Sequence, residues 1–65
     1  MKNNFKENLK NLRNIAKLTQ DDLAKLLNVS FKSISHWENG YSEPNIDMLI
    51  KLKEIFKASY DDIIE

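Results

Sequence analysis

Apolar side chains recur at helical spacing along the whole chain. Their stripes predict helices over residues 4–17, 20–27, 31–39, 46–57 and 60–64. The predicted core positions of the first, second and fourth helices are Phe5, Leu9, Leu12, Ala16, Leu23, Ala24, Leu27, Ile46, Leu49, Ile50, Leu52, Ile55 and Phe56. No run alternates apolar and polar residues as a half-buried strand does, and the chain has one glycine and one proline. The pattern predicts a single all-α domain of five helices over residues 1–65.

Residues that favour helix starts and stops stand at the edges of these stripes. The predicted N-caps are Asn4, Thr19, Ser30, Asn45 and Ser59. Glu7, Asp22 and Asp62 each follow a cap by three residues, which is the spacing of a capping box. Asn28 and Gly40 tolerate the left-handed backbone that ends a helix sharply. The caps therefore divide the chain at the same places as the apolar stripes.

The second and third predicted helices meet the steric demands of a helix-turn-helix. Ala24 is small where two steeply crossing axes approach, and Asn28 suits the tight turn between them. Val29 follows the turn and fills the gap between the helices. Ile34 and Trp37 anchor the third helix, so we assign Trp37 to the core rather than to stacking on bases. These residues predict a third helix whose opposite side faces outward.

The whole chain resembles the Cro/C1-repressor-type (Xre) family of helix-turn-helix regulators, and the family's motif lies between Thr19 and Pro44. The matching residues read T-Q-D-D-L-A-K-L-L-N-V-S-x-x-S-I-S-x-W-E-N-G-x-S-E-P, with the fourth and fifth helices following. The resemblance covers nearly all 65 residues and implies a lambda-repressor-like DNA-binding domain. Asn28 stands where the family more often has glycine. Phe31 stands where a polar base-reading residue is more usual.

The outward side of the third helix supplies the candidate base contacts. At about 100° per residue, Lys32 and His36 lie opposite Ile34. Lys32 can donate to guanine or to a phosphate, and His36 can donate to or accept from a base edge. Phe31 either contacts a thymine methyl group or forms the rim of the core. The alternative for Lys32 and His36 is that both are ordinary solvated side chains.

Further polar residues are candidates for contacts with the DNA backbone. Gln20 resembles the family's phosphate contact at the start of the second helix, where free backbone N–H groups add to anion binding. Asn39, Tyr41 and Ser42 resemble its second backbone clamp. On the flanks of the third helix, Ser33 and Ser35 either contact phosphates or make no contact.

Arg13 is the only arginine among ten basic residues and lies beside the apolar stripe of the first helix. The family resemblance places it against Glu38 as a salt bridge between the first and third helices. Arginine suits that role because its planar fork donates two parallel hydrogen bonds to a carboxylate. The alternative is an exposed arginine that binds phosphate.

The composition of the chain limits the kinds of function that it can have. Ten basic and ten acidic residues cancel, but residues 1–40 carry a net charge of +3 and residues 41–65 a net charge of −3. The chain has no cysteine and one histidine, which argues against a metal site, and no cofactor is expected. No nucleophile–base arrangement, carboxylate pair or glycine-rich phosphate loop indicates an enzyme. No apolar run approaches the roughly 18 residues that span a bilayer, so a cytoplasmic protein without a membrane partner is expected.

The leading hypothesis is a repressor-like regulator that binds double-stranded operator DNA as a homodimer. One small domain covers few base pairs, and a dimer doubles the footprint across a two-fold site. The predicted dimer surface is the apolar side of the fifth helix, formed by Tyr60, Ile63 and Ile64. Two alternatives stay open: the DNA-binding antitoxin of a toxin–antitoxin pair, and the N-terminal module of a larger regulator.

Overall fold

The computed structural model describes residues 4–65, so residues 1–3 of the predicted domain lie outside the described residues. The regular structure consists of five helices. They are α1 (Phe5–Ile15), α2 (Gln20–Leu27), α3 (Phe31–Asn39), α4 (Ile46–Phe56) and α5 (Tyr60–Ile64). Within residues 4–65 every regular element is helical, which confirms the predicted all-α class. None of these helices combines the length and apolar character needed to traverse a bilayer.

One core joins the five helices. α1 packs against α3 and α5, and α2 packs against α3 and α4. The fully buried side chains at its centre are Leu9, Leu23, Leu27, Ile34, Leu52 and Ile63. Phe5, Ala24 and Trp37 are also buried, and Val29 packs against this cluster. The helix-turn-helix therefore lies on a core to which every helix contributes.

Of the three predicted capping boxes, those at Thr19 and Ser59 form, and the one at Asn4 does not. The Thr19 hydroxyl accepts from the Asp22 N–H at 3.0 Å, and the Asp22 carboxylate accepts from the Thr19 N–H at 2.9 Å. Ser59 and Asp62 repeat this arrangement at the start of α5. The hydrogen bond from the Thr19 backbone lowers the pKa of Asp22. This hydrogen bond therefore stabilises the domain fully above the ordinary pKa of a carboxyl group. The stabilisation is lost as the pH falls through the lowered pKa of Asp22.

The predicted cap of α1 is wrong. The Asn4 side chain makes no capping hydrogen bond to α1. Instead its amide donates to the Glu65 carbonyl at 3.2 Å, and its backbone N–H donates to the Ile64 carbonyl at 2.9 Å. The last carbonyl groups of a helix have no hydrogen-bond partner within the helix. At the end of α5, Asn4 supplies the donors for two of these carbonyl groups.

Two predicted helices end earlier than expected. α1 ends at Ile15 rather than at 17, and α4 ends at Phe56 rather than at 57. Lys17 has a φ of 60° and Lys57 a φ of 52°, in the left-handed region. Lysine is a good helix former, so its side chain gives no signal of this turn.

Several predicted core positions are exposed. Ala16 lies beyond the end of α1 and is exposed. Ile46 is 68% exposed and Ile50 is 48% exposed, because α4 directs its opposite side, with Leu52, into the core. The apolar stripe of α4 is thus wider than the surface that its neighbours cover.

Lys57→Gly is expected to stabilise the domain. A left-handed conformation costs an L-residue about 1–2 kcal/mol, of which the greater freedom of glycine in the unfolded chain cancels about 0.4–1 kcal/mol. We therefore expect the free energy of unfolding to rise by about 0.5–1 kcal/mol in urea denaturation. Lys51→Gly, at an exposed position within α4, is the matched control and should lower it by about 1 kcal/mol. A decrease for both variants would contradict the argument.

Candidate nucleic-acid interface

α3 is held at both ends by local hydrogen bonds. The Ser30 hydroxyl accepts from the Ser33 N–H at 3.3 Å and caps the start of the helix. Gly40, with a φ of 79°, ends it, and a side chain there would approach Lys6 Cδ within 3.1 Å. Defined ends fix which side of α3 faces the core.

The exposed and buried sides of α3 separate as helical geometry requires. Ile34, Trp37 and Glu38 are buried, and the exposed residues are Phe31, Lys32, His36 and Asn39. Ser33 and Ser35, on the flanks, are half-buried. The structure therefore presents Lys32 and His36 together on the outer side of α3. We call this pair the Lys32–His36 ridge.

A buried polar network joins α3 to the two preceding helices. Arg13 Nε donates to Glu38 Oε2 at 2.6 Å, and Nη2 donates to Glu38 Oε1 at 3.0 Å. Arg13 Nη1 donates to the Leu18 carbonyl at 2.8 Å, in the connection before α2. The hydrogen bond to Glu38 raises the pKa of Arg13 above its ordinary value. The salt bridge implied by the family resemblance is thus a two-point contact that fixes the position of α3.

Gln20 belongs to the same network, which the sequence did not indicate. Its Nε2 donates to Glu38 Oε1 at 3.0 Å, so Glu38 accepts from both α1 and α2. An amide nitrogen carries two N–H groups, and this contact uses one of them. A phosphate contact by Gln20 stays a prediction. It requires the second N–H group of the side-chain amide or the backbone N–H group as the donor.

Two residues of the predicted backbone clamp, Tyr41 and Ser42, lie directly after α3, and the third, Asn39, is its last residue. The rings of His36 and Tyr41 meet edge to face, with centroids 5.8 Å apart and an interplanar angle of 71°. The Tyr41 N–H donates to the His36 carbonyl at 2.9 Å. Tyr41 is 78% exposed, and Ser42 is exposed as well. The ridge and the clamp therefore form one continuous exposed surface.

The amide of Asn39 is turned back onto its own helix. Nδ2 donates to the Ser35 carbonyl at 2.9 Å and lies 3.3 Å from the Ser35 hydroxyl. The Ser33 hydroxyl lies 3.2 Å from that of Ser30. A phosphate contact by Asn39 remains a prediction that requires rotation of its side chain.

The charged side chains of α3 itself suit an anionic partner. α3 has no acidic residue in its first turn, whereas α1, α2, α4 and α5 each have at least one. Its one carboxylate, Glu38, is buried and paired with Arg13. The outer side of α3 therefore combines a lysine and a histidine with no exposed carboxylate of that helix.

α1 brings Lys6 to the end of α3, and no motif in the sequence indicates this. Lys6 lies over Gly40 and borders a cleft of about 210 Å³. The cleft is lined by Phe5, Lys6, Trp37, Gly40, Ser42 and Glu43. This is a cation beside the predicted clamp, and only packing of α1 on α3 places it there.

The fifth helix differs from its predicted role. Ile63 is only 1% exposed and lies in the core, so it is not available to a second copy of the folded domain, and this part of the predicted dimer surface is wrong. The reason is that α5 packs against α1, where Asn8 Nδ2 donates to the Ile63 carbonyl at 3.0 Å. Tyr60 is 51% exposed and Ile64 is half-buried.

Residues 4–65 contain no group of three or more histidine, cysteine, aspartate or glutamate side chains placed to hold a metal ion. The exposed side of α3 carries hydrogen-bond donors instead. A family model described as helix-turn-helix (HTH_3) matches residues 9–63. This chain belongs to that helix-turn-helix family. The family prediction made from residues 19–44 is confirmed.

Relatives of this helix-turn-helix domain include regulators and an antitoxin. It is 38% identical over 60 residues to the HTH-type transcriptional activator BcrR of Enterococcus faecalis, covering 92% of this chain and 29% of BcrR. It is 34% identical over 58 residues to the antitoxin PezA of Streptococcus pneumoniae, covering 89% of this chain and 37% of PezA. The chain thus spans well under half the length of both proteins.

Solved structures place the same fold in two settings. A transcriptional regulator from Listeria innocua superposes with a TM-score of 0.93 at 31% identity, covering 98% of this helix-turn-helix domain and 60% of that chain. Hydroxypropylphosphonic acid epoxidase from S. wedmorenis superposes with a TM-score of 0.85 at 27% identity, covering 94% of this domain and 32% of the enzyme. The fold therefore also forms part of an enzyme.

Proposed function

We propose that this domain is a transcriptional regulator that binds double-stranded DNA in a sequence-specific manner. The observation that carries the proposal is the exposed Lys32–His36 ridge. The helix that bears this ridge is held to α1 by the salt bridge between Arg13 and Glu38. The helix-turn-helix places its second helix in the major groove, where the outward side chains meet the base edges. In this role Lys32 and His36 contact bases, and Phe31 lies beside them in the first turn of the helix.

Contacts to the DNA backbone position the domain on the duplex. The proposed contacts are those of Gln20, Ser33, Ser35, Asn39, Tyr41 and Ser42. Lys6, held over Gly40 beside Ser42, adds a cation to this set. Since the domain has few such cations, its affinity should be modest and sensitive to salt. No catalytic role is part of this proposal, and the protein acts in the cytoplasm with the DNA it binds.

We propose that two copies bind one site. A single recognition helix reads few base pairs, and two domains related by a two-fold axis read half-sites about 10 base pairs apart. Tyr60 and Ile64 remain candidates for the contact between copies. Ile46 and Ile50, one turn apart on α4, form a second exposed apolar pair that supports association.

Selection from a pool of random duplexes tests the proposal. We expect the selected sites to share one motif repeated with two-fold symmetry, with half-site centres about 10 base pairs apart. The number of chains bound per duplex, measured by light scattering, should be two. Recovery of no enriched sequence would contradict specific DNA binding. One unrepeated motif bound by one chain would contradict the dimer alone.

A second candidate function is that of a DNA-binding antitoxin. The observation that favours it is the similarity to the antitoxin PezA. The net charge of −3 over residues 41–65 suits a basic protein partner. Purification of the tagged protein from its native host discriminates between the two functions. An antitoxin should carry a stoichiometric protein partner, whereas a simple regulator should be recovered with DNA alone.

A further inference from the structure

Phe31 is an unusual side chain for the place it occupies. It is the first residue of α3 and is 51% exposed, whereas Ile34 and Trp37 of the same helix are 0% and 7% exposed. It is therefore not part of the buried anchor of α3. It precedes Lys32 in the first turn of α3, the turn proposed to enter the major groove.

The first turn of α3 offers a partner the ring of Phe31 and the ammonium group of Lys32. The hydroxyl groups of Ser30 and Ser33 are 3.2 Å apart, and Ser30 also caps the helix. The turn holds no carboxylate that would repel DNA. A base lying against this turn can therefore meet one cation and one phenyl ring beside the two hydroxyl groups.

A phenyl ring has no hydrogen-bonding group with which to match the polar edge of a base. Covering a guanine, adenine or cytosine edge with it would strip water from donors and acceptors without replacing their hydrogen bonds. The apolar group that the major groove presents is the 5-methyl group of thymine. Contact with that methyl group buries apolar surface on both partners.

We propose that Phe31 is a specificity-determining residue that reads a pyrimidine 5-methyl group in each half-site. The proposal rests on the proposed DNA-binding function and adds the chemical group that is recognised. It follows that the domain responds to the methyl group itself and not only to the identity of the base. A 5-methylcytosine in the same place should therefore be distinguished from cytosine.

Removal of single methyl groups from the DNA tests this inference. In a selected duplex, each thymine is replaced in turn by deoxyuridine, which removes the 5-methyl group and keeps the base-pairing edge. Loss of one buried methyl group should weaken binding about fourfold in one half-site, and roughly 15-fold when both half-sites are changed. We expect this loss at one thymine per half-site. At that position 5-methylcytosine should bind about fourfold more tightly than cytosine.

Variants of Phe31 assign the effect to this side chain. Phe31→Ala should bind the thymine and deoxyuridine duplexes equally, whereas Phe31→Leu should keep most of the discrimination because it retains an apolar side chain. Both variants should fold, since Phe31 is half-exposed, and a thermal melt of each checks this.

Three outcomes would overturn the inference. They are a selected half-site without a fixed thymine, no deoxyuridine effect on the unaltered domain, and an equal effect on Phe31→Ala. These outcomes leave the proposed function intact as long as a duplex is bound through Lys32 and His36. Binding of no duplex at all would overturn both.

Discussion

Arg13→Ala should lower the free energy of unfolding by about 3 kcal/mol, because it leaves a buried carboxylate without its main partner. Glu38 is only 3% exposed, and the substitution removes two hydrogen bonds to it at 2.6 and 3.0 Å. Gln20 keeps its single hydrogen bond to Glu38, which holds the loss to the lower part of the range for broken buried pairs. In a domain of this size the melting temperature should fall by roughly 15 °C.

Lys10→Ala is the matched control for this substitution. Lys10 lies on the same helix as Arg13, is exposed and is of the same charge, so its removal should change the melting temperature little. Arg13→Lys should fall between the two, because lysine restores the charge but not the planar fork. Equal melting temperatures for Arg13→Ala and Lys10→Ala would show that the network does not stabilise the fold.

The joint substitution Lys32→Ala and His36→Ala should have the largest effect on DNA binding. A side chain that matches a base edge contributes about 1–3 kcal/mol of discrimination. Loss of both contacts, about 2–6 kcal/mol if the two add, should therefore weaken binding to a selected duplex by at least about 30-fold. Both side chains are exposed, so the melting temperature should be unchanged. Titration of a labelled duplex measures the affinity, and a thermal melt confirms the fold.

The separate variants show what each residue contributes. If Lys32 reads guanine, Lys32→Ala should relax the sequence preference at one position; if it binds a phosphate, affinity should fall equally for all sequences and the salt dependence should weaken. Lys51→Ala, on the exposed surface of α4 in the acidic part of the chain, is the control and should bind as the unaltered domain does. An unchanged affinity after the joint substitution would remove the basis of the proposed function.

The sequence predicted the helix-turn-helix well because its signals are local. The caps at Thr19, Ser30 and Ser59 each form a hydrogen bond to a residue three positions further on, so the sequence contains both partners within one turn. The left-handed turn at Asn28 was also predictable, since few side chains tolerate it. The left-handed turn at Lys57 was not predictable in this way, because lysine is a helix-forming residue.

The predicted site was less complete than the predicted fold because several of its contacts join residues far apart in the chain. Gln20 and Glu38 are 18 positions apart, and nothing in their spacing shows that they meet. Lys6 reaches the end of α3 only through the packing of α1. Ile63 had the same apolar pattern as Tyr60 and Ile64, and only its contact with α1 separates it from them.

By itself the sequence determined where α2, α3, α4 and α5 start and which side chains α3 can turn outward. Hydrogen bonds of a cap and the 100° step of a helix act within a few residues, so the order of side chains specifies both. The tertiary structure decided which apolar side of α4 is covered, which amides satisfy the end of α5 and which groups surround Glu38. Those outcomes depend on the surfaces that other helices bring, because burial and buried hydrogen bonds are properties of packed elements and not of one segment.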